Sequence, residues 1–300
     1  MKNIKDKIGF AETPREIAKL IVDLASVDKS DLALDTGCGR GIFVQALKEK
    51  GYKNIYGIEI DKEFYDYCSR KFDNIIFGDF LSHKFKEQFS LIVGNPPYVH
   101  FNQIPHEVAR NVKEIIGTRE GDIYYAFIVK AISLLKENGE LIYIVPYHFF
   151  YNTYARFLRE KILQFGKIEI IIDLDESRLF KNESPETIIF KFKKGKYDLK
   201  KERIKILRIK KTQSTPLEIY IKAVESLKNQ TSNDLFDYYE ISHYLNNQTW
   251  STADLNFSDF PNLRLKDIAK VGVGLVSGFD KAFIVSLDEL KLFTDLEINL

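Results

Sequence analysis

Residues 31–51, "DLALDTGCGRGIFVQALKEKG", decide the fold. "DLALDTG" is a short apolar run of the kind a buried strand shows. "GIFVQALKEKG" has helical spacing and a glycine stop at Gly51. Between them Gly37, Gly39 and Gly41 stand at alternate positions, with Asp35 two residues ahead of the first. A glycine turn between a strand and a helix lets a ligand approach the backbone beside a helix N-terminus.

Outward from that turn the same alternation continues. "NIYGIEI" and "NIIFGD" read as strands and "DKEFYDYCSRKF" as the helix between them, which completes a βαβαβ unit. "FSLIVGN" is a fourth strand, and "DIYYAFIVKAISLLKENG" is a helix leading to a fifth, "ELIYIVP", ended by Pro146. "YARFLREKILQFG", "KIEIIIDL" and "ETIIFKFKK" add a helix and two strands. Apolar strands separated by helices predict an α/β, doubly wound, mostly parallel sheet covered on both faces. Composition shifts near residue 230, where "NQTSNDLFDYYEISHYLNNQTW" reads as a connection into a second unit. The expected organisation is a catalytic domain over 1–230 and, over 231–300, a linker with part of a second domain.

Composition excludes several classes. The 300 residues, 45% hydrophobic, suffice for a buried core. Forty-four basic against forty-three acidic residues give no global field for a polyanion. Cys38 and Cys68 are too few for a disulfide framework or a thiolate zinc site, and read as small buried packers in a reducing cytoplasm. The five histidines have no metal spacing, so no metal is expected. The start carries charges where a signal peptide needs its apolar core, and no run approaches the ~20 residues that span a bilayer. The expectation is a cytoplasmic protein without membrane contact.

The turn is not the nicotinamide fingerprint, whose third glycine would fall on Ile42. An acid facing a cationic ligand at a strand end instead suggests S-adenosylmethionine, with a structural turn or another nucleotide as the alternatives. Glu59 ends the second strand, near the ~20-residue spacing at which such folds place a ribose-binding carboxylate. Asp79 follows the third strand, where it can accept from an exocyclic adenine amine with Phe80 packed beside the ring. The blander readings are a helix cap for Glu59 and a turn opener for Asp79.

The fourth strand delivers Asn95-Pro96-Pro97-Tyr98 to the same carboxyl edge. The prolines stiffen the chain and remove two donors. Asn95 offers a side-chain carbonyl, Pro96 a backbone carbonyl and Tyr98 an aromatic face, which together suit a planar ring bearing an –NH₂ group. Such an amine in a duplex is reachable only if its base flips out between aromatics. Tyr98 is one face, and the strand "ETIIFKFKK", where Phe190 and Phe192 point the same way, is a source for the other; ordinary strand packing is the alternative.

In their order these motifs resemble the γ-class, Taq-type amino-methyltransferases, which modify adenine N6 in DNA and include modification subunits of restriction systems. The resemblance runs from residue 9 to about 196 and rests on "GFAETPREIAKLIVDLA", "DTGCGRG", "GIEID", "GDFL", "NPPY", "GDIYYAFIVKAISLLKENGELIYIVP" and "FKNESPETIIFKF". It implies a seven-stranded sheet with one antiparallel strand. It implies cofactor contacts from Thr13, Pro14, Asp35, Gly37, Cys38, Gly39, Glu59, Ile60, Asp79, Phe80 and Asn95, and catalysis by Asn95, Pro96, Pro97 and Tyr98. Phe192 aligns with the second stacking aromatic. The cluster "DTGCGRG" departs from the proline-containing form common in that family. "LRLKDIAKVGVGLVSGFDKAFIV" resembles the opening of a target-recognition domain, expected to be incomplete here.

Between Lys191 and Lys211 eleven Lys or Arg stand against two acids. Phosphate contacts need such a surface, so Lys191, Lys193, Lys194 and Lys196 are the expected DNA-binding residues, with a solvated hairpin as the alternative. The expected partner is double-stranded DNA, and a separate specificity or restriction subunit is compatible with the resemblance. Rival readings are the same chemistry on RNA or a protein glutamine, cytosine-N4 methylation, or a non-catalytic DNA-binding subunit. Carbon-5 methylation is disfavoured because no Pro-Cys pair exists.

Overall fold

The computed structural model describes residues 12–104, 106–117, 121–174, 186–210 and 214–252. Strands β1 (Leu32–Asp35), β2 (Asn54–Glu59), β3 (Ile75–Phe77), β4 (Phe89–Gly94), β5 (Leu135–Pro146), β6 (Gly166–Asp173), β7 (Thr187–Lys194), β8 (Arg203–Ile209) and β9 (Phe236–Ser242) form one sheet in the order β3-β2-β1-β4-β5-β7-β6-β8-β9. Around it lie helices α1 (Arg15–Asp23), α2 (Ile42–Lys50), α3 (Lys62–Ser69), α4 (His106–Ile116), α5 (Ile123–Leu134), α6 (Arg156–Phe165) and α7 (Pro216–Asn229).

The chain starts this sheet in the middle. β1 pairs in parallel with β2 on one side and with β4 on the other, so the winding direction reverses at β1. Beyond that point the carboxyl ends of β1 and β4 diverge into loops on opposite faces, which opens the crevice where such sheets bind ligands. The apolar runs are explained by burial on both sides. Ala33, Leu91 and Val93 pack with α1 and α2 in one core, whereas Leu34 and Ile92 pack with α5 in the other. Asp61 starts α3 by accepting from the backbone N–H of Glu63 and Phe64 at 2.9 and 3.1 Å. That removes the helix-cap reading of Glu59.

The sheet has nine strands where seven were expected. β8, "RIKILRI", alternates polar and apolar positions inside the lysine-rich stretch, so its charge masks its period of two. β9 lies in the stretch read as a connection and pairs antiparallel with β8 from Phe236 to Ser242. The sheet therefore continues past residue 230, and the first compact unit of the chain runs to Asp254. The segment resembling a target-recognition domain lies outside the described residues.

β7 is antiparallel to both β5 and β6. On its far half Lys191 is buried and forms ion pairs with Glu140 at 2.9 Å and Glu169 at 3.2 Å. Its ammonium also donates to the Leu24 carbonyl at 3.0 Å, and Glu140 accepts from the Ser26 backbone N–H at 2.8 Å. This network ties the end of α1 to the sheet. Lys191→Ala would leave Glu140 buried opposite no charge, and the expected loss is about 3–5 kcal/mol in urea unfolding. The Glu140→Gln, Lys191→Met double variant, which removes both charges, should recover most of it.

Candidate active site at the carboxyl edge of the sheet

Asp35 ends β1 in register with Val93 of β4 and is wholly buried. One carboxyl oxygen accepts from the Gly37 N–H at 3.5 Å, a long contact. The other has no hydrogen-bond partner among the described residues. Burial pushes this carboxyl up to about 8. Beside it the space next to Gly37 is open, since a Cβ there would meet nothing within 4 Å. A buried carboxyl with one unpartnered oxygen, two residues before an open glycine position, fits a small cationic group.

Glu59 holds this turn from the next strand. Its carboxylate accepts from the Gly39 N–H at 2.7 Å and from the Asp61 N–H at 2.8 Å. Burial raises its pKa as well. Ile60 follows with 38% exposure, an apolar surface at the crevice. Cys38 is buried beneath the turn and donates its N–H to the Ile58 carbonyl at 3.0 Å. Asp79 accepts from the N–H groups of Leu81 and Ser82 at 3.0 and 3.1 Å, as a turn opener does, and additionally from the Asn111 amide at 3.3 Å. Phe80 packs inward against Phe127, with ring centres 5.0 Å apart.

The tetrapeptide stands directly beside the turn. A Cβ on Gly94 would lie 2.9 Å from the Thr36 hydroxyl and 3.7 Å from an Asp35 carboxyl oxygen. The Asn95 amide donates to the Thr13 hydroxyl at 3.2 Å, across 82 residues of sequence. Pro14 follows at the start of α1, its carbonyl accepting from Ile17 and Ala18. Pro96 is buried and Pro97 half-buried. Tyr98 donates its hydroxyl to the Ile144 carbonyl of β5 at 2.9 Å, which fixes the ring. Burial drives its phenol well above the ordinary range, so it remains a donor. Asp35, Glu59, Asn95, Tyr98, Thr13 and Ile60 are thus brought to one edge.

Phe192 is not among them. β7 runs against β5, so Thr187 is at the carboxyl edge, opposite Pro146, and Phe192 lies opposite Leu141 in the strand interior. Its ring is wholly buried and fills the space above Gly166, where a Cβ would come within 2.5 Å. The lysines on either side of it are displaced for the same reason. Lys191 is the buried charge described above. Lys194 donates to the carbonyls of Ile132 and Leu135 at 3.1 and 2.7 Å, capping the end of α5. Lys193 is half-buried on the same strand, and Lys196 is exposed just beyond that end. Sequence reading also missed Tyr143, whose hydroxyl meets that of Thr36 at 2.6 Å. Its only signal is its place in the fifth apolar run.

A sheet wound in this order, with acids after its first strands and a ligand crevice at β1, is the fold of class I S-adenosylmethionine-dependent methyltransferases. A protein from Listeria monocytogenes assigned to that class superposes with a TM-score of 0.57 at 20% identity, over 72% of this chain and 71% of its own. The methyltransferase subunit of a type I restriction-modification system from Streptococcus thermophilus gives 0.61 at 18% identity, over 77% and 56%. More specifically, residues 62–180 match the family described as Eco57I restriction-modification methylase. The type II methyltransferase M.HindII of Haemophilus influenzae is 28% identical over 97% of this chain and 58% of its own length. M.HincII, also from Haemophilus influenzae, is 30% identical over 83% and 47%. The chain therefore spans about half the length of these curated relatives.

The buried acid has a measurable signature. Asp35 binds its proton more tightly in the folded state, up to about 8, than in the unfolded chain, where carboxyls titrate near ~4. Its contribution to stability is full below the unfolded value and is lost as pH rises through the folded one. Asp35→Asn lacks this dependence. Urea unfolding should show the variant gaining on the wild type between pH 4 and pH 8, with a constant margin above.

Proposed function

We propose that the protein transfers a methyl group from S-adenosylmethionine to the N6 amine of an adenine flipped out of duplex DNA, as part of a restriction-modification system. The observation that carries this reading is the contact of the "NPPY" stretch with the Asp35 turn, where Gly94 leaves no room for even a Cβ. The donor supplies an electrophilic methyl on a positive sulfur. The chain's residues supply everything else.

The orphaned oxygen of Asp35 suits the ammonium end of the donor, and the glycine cradle lets it lie close to the backbone. Glu59, held by two backbone N–H groups, retains lone pairs for ribose hydroxyls, and Ile60 offers an apolar face to a purine. Asn95 and Pro96 present carbonyl oxygens to the target amine. That amine is a poor nucleophile while its lone pair is spread into the ring. Acceptors outside the ring plane favour its pyramidal form, and their hydrogen bonds strengthen as positive charge grows on nitrogen. Holding amine and methyl in line is the larger share of the acceleration. After transfer the substituted ammonium is acidic and gives its proton to solvent or a nearby acceptor. The ring of Tyr98, anchored through its hydroxyl, is a fixed stacking surface for the base. The relatives named as type II methyltransferases support DNA as the acceptor.

Methyl-labelled cofactor incubated with unmethylated genomic DNA, followed by digestion to nucleosides, tests the reading. The expected product is N6-methyladenine; label in N4-methylcytosine, RNA or protein instead would replace the substrate assignment. Asn95→Ala should abolish measurable turnover, and full-rate transfer by that variant ends the mechanism. Cofactor affinity should rise with pH and level off above about 8, because Asp35 must lose its proton to receive a cation. Calorimetry in buffers of different ionisation enthalpy should register that proton. Asp35→Asn should remove it and weaken binding by about 10- to 100-fold.

A further inference from the structure

Behind the catalytic loop lies a polar pair with no place in the mechanism above. His148 Nε2 is 2.7 Å from a carboxylate oxygen of Asp122, and the hydroxyl of Tyr124 is 3.3 Å from the same nitrogen. The two side chains are largely covered, 29% and 16% exposed. Their places in the chain connect the two flanks of the site. Asp122 belongs to the segment that pairs with the residues just after Tyr98: Ile123 donates its N–H to Val99 and Phe101 donates to Gly121, each at 2.9 Å. His148 sits in the turn Tyr147–Phe150, immediately beyond the end of β5.

We propose that the Asp122–His148 hydrogen bond is a clasp that positions Tyr98, and with it the carbonyls of Asn95 and Pro96, for methyl transfer. This rests on the function proposed above. The wholly buried ring of Tyr124 lies between the two, its centre 6.1 Å from that of Tyr98 and 5.9 Å from that of His148, edge-on to both. The turn that carries His148 is itself immobilised from its other side. Arg159 donates to the Phe149 carbonyl at 2.7 Å, Trp250 donates its N–H to the Phe150 carbonyl at 2.8 Å, and Thr252 donates to the Tyr147 hydroxyl at 3.4 Å. A fixed turn, a buried spacer and a short polar contact leave the loop after Tyr98 one position. Without the clasp, the loop retains its backbone pairs and the Tyr98 bond to Ile144, but loses its second tie to the carboxyl end of β5, so Tyr98 can pivot about its hydroxyl. The asparagine and proline acceptors must lie within fractions of an ångström of the amine's path, so a small shift there has a large effect on rate.

Single-turnover methyl transfer under saturating cofactor tests this with the whole chain. His148→Ala should slow transfer by on the order of 10²-fold while the dissociation constant for S-adenosylmethionine stays at the wild-type value. His148→Gln, whose amide can donate to Asp122, should recover much of the rate. Hydrogen exchange at the amides of Phe101 and Ile123 should quicken in the alanine variant and not in the glutamine one. Wild-type rate in His148→Ala overturns the clasp, as does a glutamine variant no faster than alanine. Should the alanine variant fail to fold, His148→Phe keeps the bulk without the donor, and full rate there overturns it equally. A wild-type chain that transfers no methyl group to any nucleic acid or protein fails the proposed function instead, and the exchange measurement then decides the clasp alone.

Discussion

The close approach of β1 and β4 at Gly94 is the constraint on which the rest of the site depends. The position a Cβ would take there is hemmed by the Thr36 hydroxyl at 2.9 Å and the Tyr143 ring at 3.4 Å. Thr36 and Tyr143 are joined in turn by a hydroxyl contact of 2.6 Å, so the ends of β1, β4 and β5 are fastened together at one point. Any side chain at Gly94 would push these strands apart or break that contact. The direction in which Asn95 leaves the sheet follows from this fastening. So does its distance from Asp35, the group expected to face the other reactant.

That fastening has an electrostatic consequence. Bringing the strand ends together excludes water from Asp35 and leaves its second oxygen without a partner among the described residues. An ionised carboxylate in such a place is unfavourable unless a cation joins it. Glu59 is also buried, but two backbone N–H groups meet it. The two acids are therefore not equivalent. Glu59 is satisfied by the protein and stiffens the turn, whereas Asp35 keeps an oxygen that no described residue satisfies. A buried polar atom left unsatisfied costs stability, and such exceptions to the local rules of folding are expected where a protein functions.

Most of this was legible because it depends on the order of elements and on strand ends. Apolar runs ending in Asp35, Glu59 and Asn95 can be read from the chain, and a parallel sheet must place them along one edge. The failures share one cause. The resemblance implies an antiparallel strand at "ETIIFKF" and yet gives Phe192 a place beside the base; run antiparallel, β7 carries Phe192 and the lysines after it away from the site. Strand direction is set by which neighbours a strand pairs with, and nothing within "ETIIFKFKK" records it. Charge misled for a related reason: a lysine at a strand position reads as surface, but Lys191 is covered once α1 packs over it and Glu140 lies opposite. The resemblance names Thr13 and Asn95 separately as cofactor contacts, and their bond to each other is seen only in the fold, because no local pattern joins residues 82 apart.

Helix α1 explains why a charge pair so far from the site matters to it. At its start Thr13 meets Asn95 at the carboxyl edge; just beyond its end Leu24 and Ser26 meet Lys191 and Glu140 toward the opposite edge. Nine helical residues rise roughly 14 Å, close to the span of four or five strand residues at about 3.3 Å each, so the helix is matched in length to the strands it crosses. Ile17, Leu20 and Ile21 bury its inner face, yet an apolar face alone permits sliding along the strands. The ion pairs of Lys191 are directional and remove that freedom. The lysine read as a contact for nucleic acid instead fixes the axial position of the helix that presents Thr13 to Asn95.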